Sequence, residues 1–290
     1  MELLRQRADL QRLEPLRRRG LALVPTMGAL HEGHLSLVRR AAQEGPVVVS
    51  IFVNPTQFGP GEDFERYPRD LDADLALLEP LDVAAVYAPP VEDLYPAGTG
   101  VTVQPGPRAG CLCGARRPGH FAGVLTVVGK LLNLVRPAVA VFGRKDAQQC
   151  LVIDEMVRDL AFPVRLIDAP TVREPDGLAL SSRNRYLDGE QRRRALCLWR
   201  ALEAARRLLE EGERRVDAIE ATLALHLADA DAVDYAEVRT VPELERPETI
   251  AGRVLLAVAA HVGPARLIDN LSLVVEDDGV RESPLLGETP

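Results

Sequence analysis

The sequence predicts an α/β chain: a parallel sheet covered by helices on both faces, followed by a smaller α+β unit. Three observations predict it. Short β-branched runs alternate with longer amphipathic stretches through the first two-thirds of the chain. The runs are continuously apolar, the pattern of strands buried on both faces. Near Thr171 the alternation stops, and a loop rich in charge and turn residues leads into long helical patterns and then further strand-like runs.

Apolar runs at 21–24, 47–53, 83–87, 139–142 and 164–167 are the five expected strands. Helical periodicity over 35–43, 71–78 and 124–135 connects them, and Pro137 closes the last helix. The division is expected at 171/172, giving domains 1–171 and 172–290. In the second, helices are expected over 191–211 and 215–228, and strands over 235–239, 253–260 and 265–269. The tail after 275 is acidic and contains proline and glycine, so it is expected to be loosely ordered. There is no internal repeat.

With 290 residues, 27% charged and 47% hydrophobic, the chain has enough apolar material for a proper core. Acids outnumber bases 43 to 35, for a net charge of −8. That excludes a nucleic-acid binder relying on a broad basic surface. Aromatics at 4% give no base-stacking platform. No stretch approaches the ~18 apolar residues of a membrane span, and the first twenty residues are charged throughout. A cytoplasmic protein with neither nucleic-acid nor membrane partner is expected. Cys111 and Cys113 are two apart while Cys150 and Cys197 stand alone, so no zinc site is completed and reduced thiols are expected. The bases are nearly all arginine, with only Lys130 and Lys145 as lysines, and there are five histidines. Lys130 falls in an ordinary helix.

Ligands of open parallel sheets bind outside the C-terminal strand ends. Four of the five expected strands end in residues able to contact one: PTMGALHEGH, NPTQF, GRKDAQQ and PTVREPDGLALSSRN. In the first, Gly28 and Gly33 let backbone approach a ligand, and the helix starting near His34 offers free N–H groups to an anion. His31 and His34 share a helix face and could donate to phosphate oxygens, or could simply be cap and surface residues. A zincin needs its histidines four apart and a third ligand; neither is present. Lys145 suits a phosphate as a compact point charge, Asp146 a ribose, and Gln148 and Gln149 a polar substrate; the plain alternative is a solvated helix start. LALSSRN carries hydroxyls and Arg183 for wrapping a triphosphate, and serves equally as a linker. After NPTQF, Gly59, Pro60 and Gly61 form a segment able to move. Asp70, Asp72 and Asp74 could hold a phosphate-bound Mg²⁺, although a run of acids is more simply solvated.

PTMGALHEGH, SIFVNPTQF, LCGARRPGHFAGVLTVV, FGRKDAQQ and PTVREPDGLALSSRNRYL, in this order, resemble the pantothenate synthetase (pantoate–β-alanine ligase) family over roughly residues 20–190. RLIDNLSL resembles that family's C-terminal domain. The resemblance implies a Rossmann-like nucleotidyltransferase domain, a smaller lid domain and a homodimer. It implies Mg²⁺, ATP, (R)-pantoate and β-alanine as ligands, joined through a pantoyl adenylate with release of pyrophosphate and AMP. By the same resemblance the ATP site comprises Met27, Gly28, Ala29, Leu30, His31, Glu32, Gly33, His34, Gly143, Arg144, Lys145, Asp146, Val172, Leu180, Ser181, Ser182 and Arg183. His31, His34, Lys145 and Arg183 are its catalytic set. Gln57 and Gln149 match pantoate-binding positions; Gln57, Asn54, Arg117 and His120 line the β-alanine side; Tyr67 belongs to the cover. Leu180 stands where the family often has Met. Ala73 interrupts an acidic cluster, which leaves the metal role to Asp72 or Asp74. Two rivals remain open at this point: another adenylyl-transferring enzyme of the same architecture, and a non-catalytic nucleotide sensor.

Overall fold

The computed structural model describes residues 1–96 and 100–287. Six parallel strands form the first sheet: β1 (Glu2–Leu4), β2 (Ala22–Thr26), β3 (Val47–Ile51), β4 (Ala85–Tyr87), β5 (Val139–Gly143) and β6 (Arg165–Ala169). Their order is β1-β4-β3-β2-β5-β6. The chain winds outward from β2 through β3 to β4, then crosses to β5 on the other side of β2. The switch point therefore lies between the C-terminal ends of β2 and β5, where a crevice opens in this architecture.

Both sheet faces are buried, as the continuous apolar runs require. Ala22, Val24, Val47 and Val49 face a core shared with Leu35, Val38, Ala41 and Leu78, from helices Glu32–Ala42 and Leu71–Leu78. Leu21, Leu23 and Val48 face the opposite core with Phe121, Val128, Leu151 and Ile153, from helices His120–Val135 and Ala147–Asp159. This alternation is the period of two that a strand imposes. The three-residue β1 has no counterpart among the expected strands: it is too short and too charged to register as a run, and forms only by pairing with β4.

The second sheet is antiparallel: β7 (Ala232–Thr240), β8 (Gly252–Val262), β9 (Ala265–Glu276) and β10 (Gly279–Glu282), in the order β10-β9-β8-β7. On β8, Val254, Leu256, Val258, Ala260 and Val262 face helices Cys197–Glu210 and Val216–His226. Leu255, Ala257 and Ala259 face the core of the first sheet. The central strand of this sheet is thus buried on both sides and joins the two parts. The single helix expected over 191–211 is two, Gly189–Ala195 and Cys197–Glu210, meeting at Leu196.

The expectation of a loose tail is corrected for residues 276–287; residues 288–290 lie outside the described residues. β10 pairs with β9, and the backbone N–H groups of Leu285 and Leu286 donate to Asp168 at 2.9 and 3.0 Å. Both leucines are buried, and Arg253 donates to the carbonyls of Pro284 and Leu285. Two apolar residues with one buried carboxylate to cap dock the segment despite its acidic surroundings. No helix among the described residues is long and apolar enough to cross a membrane.

Candidate active site

The loop after β2 turns through left-handed backbone at Gly28 (φ +80°) and Ala29 (φ +50°). A Cβ on Gly28 would stand 2.8 Å from Oδ2 of Asp74, so only glycine fits. Asp74 is the anchor: its carboxylate accepts the N–H of Ala29 at 3.0 Å and of Leu30 at 2.7 Å, deep in the protein. Its two oxygens each accept one backbone N–H, while Asp72, on the same helix, is exposed and lines neither cavity.

The loop delivers His31 as the N-cap of helix Glu32–Ala42. Its Nδ1 accepts the N–H of Gly33 at 3.2 Å. A neutral His31 therefore carries its proton on Nε2, a donor toward the crevice. His34 lies against it, ring centroids 4.1 Å apart, with its own Nδ1 buried and unpartnered. Burial, then the charges of Lys145 and Arg185, lower the His31 pKa to about 4. Burial, then His31 and the same two cations, lower that of His34 to about 3. Both imidazoles are uncharged hydrogen-bond groups at neutral pH in the free protein.

The second wall comes from the end of β5. Among the described residues Lys145 forms an ion pair only with Asp146, at 3.9 Å. Arg144 points away, donating to the buried Asp168 at 2.7 Å. Gln148 is a strut rather than a ligand group: it accepts from the N–H of Cys113 and donates to the carbonyls of Arg108 and Cys111. Gln149, beside it, lines both cavities.

Gln57 is held by a network whose polarity is fixed. Asn54 Oδ1 accepts from Thr56 N–H (3.3 Å), Thr56 Oγ1 (2.9 Å) and Tyr95 Oη (3.0 Å). Asn54 Nδ2 donates to the Gly123 carbonyl (3.2 Å) and Gln57 Oε1 (3.0 Å). The backbone N–H and carbonyl at the two ends allow only one orientation of Asn54. Gln57 must turn its oxygen inward, which leaves its NH₂ beside Met27 as a donor to the cavity. Lys130, expected to be ordinary, supports this chain from behind: its Nζ donates to the Leu94 carbonyl and sits 5.0 Å above the Tyr95 ring. Asn54 itself is buried and its amide is used within the protein.

His120 and Arg117 brace the same residue. His120 Nε2 must accept from Arg117 Nη1 (2.9 Å), so Nδ1–H donates to the Gln57 carbonyl (2.8 Å). Burial and then the Arg117 charge lower the His120 pKa to about 4. Arg117 forms a two-pronged pair with Glu62 at 2.7 and 2.6 Å. Both ring nitrogens of His120 are used within the protein, and Arg117 has one Nη1 hydrogen beyond those that its protein partners take.

The two covering segments hold each other. Arg183 pairs with both oxygens of Asp63 (2.9 and 3.0 Å), and Tyr67 Oη lies 3.3 Å from Ser182 Oγ. Ser181 caps the short helix Ser182–Tyr186, and Leu180 donates back to the Val172 carbonyl. A 230 Å³ cavity is lined by Met27, His31, Gly33, His34, Gln57 and Leu180, and Gly143, Val172 and Ser182 also face it. A 470 Å³ cavity between the two sheets shares its wall, through Arg117, His120, Lys145, Asp146, Gln149, Ser181 and Arg183. Gly28, Ala29, Leu30, Glu32 and Arg144 line neither. Glu32 instead pairs with Arg39 on the surface. The sequence reading missed Glu62, Asp63, Tyr95, Asp168, Asp269 and Asn270, which touch the cleft's residues from distant parts of the chain.

A crevice at the switch point of a parallel sheet, lined by uncharged imidazoles, a lysine and oriented amides, defines a Rossmann-like α/β protein with a small-ligand cleft. Comparison with known proteins narrows this. The model of the family described as Pantoate-beta-alanine ligase matches residues 2–272. Pantothenate synthetase of Moorella thermoacetica is 56% identical over 266 residues, covering 90% of this chain and 94% of that protein. That of Thermotoga petrophila is 53% identical over 260 residues, covering 89% and 93%. The crystal structure of pantothenate synthetase from Thermus thermophilus superposes with a TM-score of 0.90 at 48% identity, covering 93% of this chain and 99% of that one. Pantoate-beta-alanine ligase from Francisella tularensis, crystallised with "Beta-gamma ATP" and β-alanine, gives 0.76 at 33% identity, covering 93% and 97%. The chain belongs to the pantoate–β-alanine ligase family and is a ligase.

Proposed function

We propose that this ligase joins (R)-pantoate to β-alanine at the expense of ATP, through a pantoyl adenylate. One observation carries the reading: the donors suited to a triphosphate (His31, His34, Lys145) and the amides suited to an uncharged polar wall (Gln57, Gln149) meet in one cleft. In the first step a pantoate carboxylate oxygen bonds to the α-phosphorus and the bond to pyrophosphate breaks. His31 Nε2–H and Lys145 stabilise charge moving onto phosphate oxygens, with no reorganisation at the moment of reaction. Gln57 NH₂ and Gln149 hydrogen-bond pantoate without adding charge. In the second step the β-alanine amine, entering beside Gln57, Arg117 and His120, bonds to the acyl carbon as the bond from that carbon to the AMP oxygen breaks; AMP leaves and the proton lost by the amine passes to water.

Tyr67, Ser182 and the Arg183–Asp63 pair close the outer side of the cleft, which protects an adenylate from water. Mg²⁺ is expected to arrive with the nucleotide, with phosphates and water as most of its ligands; of the carboxylates assigned to it, Asp74 already accepts two backbone N–H groups and Asp72 lies outside both cavities. A homodimer and a cytoplasmic location form part of the same reading, and sedimentation velocity tests the dimer.

The decisive experiment is pyrophosphate exchange into ATP that requires pantoate, followed by AMP release on adding β-alanine. Exchange driven by an amino acid would favour another adenylyl-transferring enzyme. Nucleotide binding with no exchange under any acid would favour a sensor.

A further inference from the structure

Among the described residues the Lys145 side chain pairs only with its neighbour Asp146, at 3.9 Å, so its place depends on its backbone. That backbone is held from the second sheet. Asn270, on β9, donates both amide hydrogens to successive carbonyls, 3.1 Å to Arg144 and 2.8 Å to Lys145. Its Oδ1 is buried without a partner. The position therefore uses the donors of the amide while leaving its acceptor unpaired, a cost that the two carbonyl contacts offset.

The preceding residue holds the other ligand loop. Asp269, 4% exposed, accepts Arg173 Nη1 and Nη2 at 2.6 and 2.9 Å. Arg173 also donates to the Gly177 carbonyl and lies 3.9 Å from the Trp199 ring centroid. It bridges to Ala179, so the strand that leads directly to Leu180–Arg183 is anchored at its base. One peptide bond thus separates the residue that fixes the lysine loop from the residue that fixes the Ser181–Arg183 segment.

We infer that Asp269 and Asn270 form a positioning pair that sets the separation of the two phosphate-facing loops, Asn270 acting through Lys145 and Asp269 through Arg183. Neither is proposed to touch substrate. The inference rests on the reaction proposed above.

The test is pantoate-dependent pyrophosphate exchange in the wild type, Asn270→Ala, Lys145→Ala and the double variant. A displacement of about 1 Å in a preorganised group costs up to about 100-fold, so N270A is expected to lower kcat about 10-fold or more, with the pantoate KM within about twofold. In the K145A background the same substitution should cost less than about threefold, because partners in one network are not additive. Asp269→Asn should raise the ATP KM instead. Leu223→Ala, which opens the core of the second unit without reaching either loop, controls for lost stability: matched in Tm, it should keep kcat near wild type. Multiplicative losses in the double variant, or an equal kcat loss in L223A, would overturn the pair. A wild type without exchange would overturn the reaction instead; the pair is then judged by ATP affinity, measured calorimetrically in the same proteins with the same expected non-additivity.

Discussion

Lowering the pH from 7.5 to 5 should destabilise the free protein through three imidazoles. His31, His34 and His120 have pKa values near 4, 3 and 4 in the fold, against 6.5 for an exposed histidine. Between those values the unfolded chain binds protons that the folded chain refuses, so stability rises with pH across the window and falls on acidification from about 6.5 to about 4. Integrating the linkage for one such group from pH 7.5 to 5 gives about 2 kcal/mol. Three give about 6 kcal/mol as an upper bound, a large share of the about 5–15 kcal/mol that holds a domain together. The assay is the urea midpoint at half-unit pH steps, paired with NMR titration of the imidazole Hε1 protons. Replacing His34 by Gln should reduce the fall by about a third. Saturating ATP should flatten it, since a triphosphate against the rings favours the charged form and couples nucleotide binding to proton uptake. A midpoint that stays level from pH 7.5 to 5.5, or imidazoles titrating near 6.5, would refute the burial argument.

Three further outcomes follow from single contacts. Lys145→Ala should stay folded and lose about 100-fold or more in adenylation, the ~3–4 kcal/mol typical of one preorganised donor; near-normal single-turnover adenylation would remove Lys145 from the site. Asp74→Ala leaves two buried N–H groups unpaired and should cost about 2–5 kcal/mol in urea denaturation. Its activity should not recover with added Mg²⁺; recovery would favour a metal role for Asp74 over the anchoring of the loop. Tyr95→Phe removes one of three donors to Asn54 Oδ1, worth about 1 kcal/mol, and should raise the pantoate KM about fivefold with kcat nearly unchanged. An unaltered KM would show that Gln57 does not depend on that chain.

What could be read from the sequence was whatever is local. Val47–Ile51 and Val139–Gly143 announce themselves because a strand buried on both faces is apolar at every position. His31, Lys145 and Gln57 were legible because they directly follow such strands, and strand ends converge. Partners were not legible. Nothing local in DLDADL distinguishes Asp74, which caps two buried amides, from Asp72, which faces water. The distinction arises from which side of a helix meets a loop 45 residues away. Asn54 and His120 were read as ligand groups by resemblance to the family, whereas closure of their hydrogen bonds within the protein appears only in three dimensions. Tyr95 and Asn270 reach the cleft across sequence separations of 41 and 125 residues, beyond any periodicity.

The charge of the cleft shows why pairing matters more than composition. Net charge is −8, yet the proposed ligands are anions. Arg117 is matched by Glu62, Arg183 by Asp63 and Arg144 by Asp168, so three guanidiniums contribute little net field before a ligand arrives. Lys145, Arg185 and the N-terminus of helix Glu32–Ala42 would supply the initial attraction, which is short-ranged and local. A ligand recruits Arg183 only by replacing the bidentate geometry of Asp63, since breaking a partly buried pair without a substitute leaves a charge uncompensated. A triphosphate offers paired oxygens and meets that condition, as a carboxylate also can, whereas a monatomic anion such as chloride does not. The acids beside the cleft therefore do not oppose the site's chemistry. They keep its cations ordered in the empty protein and raise the threshold for any anion too small to take their place.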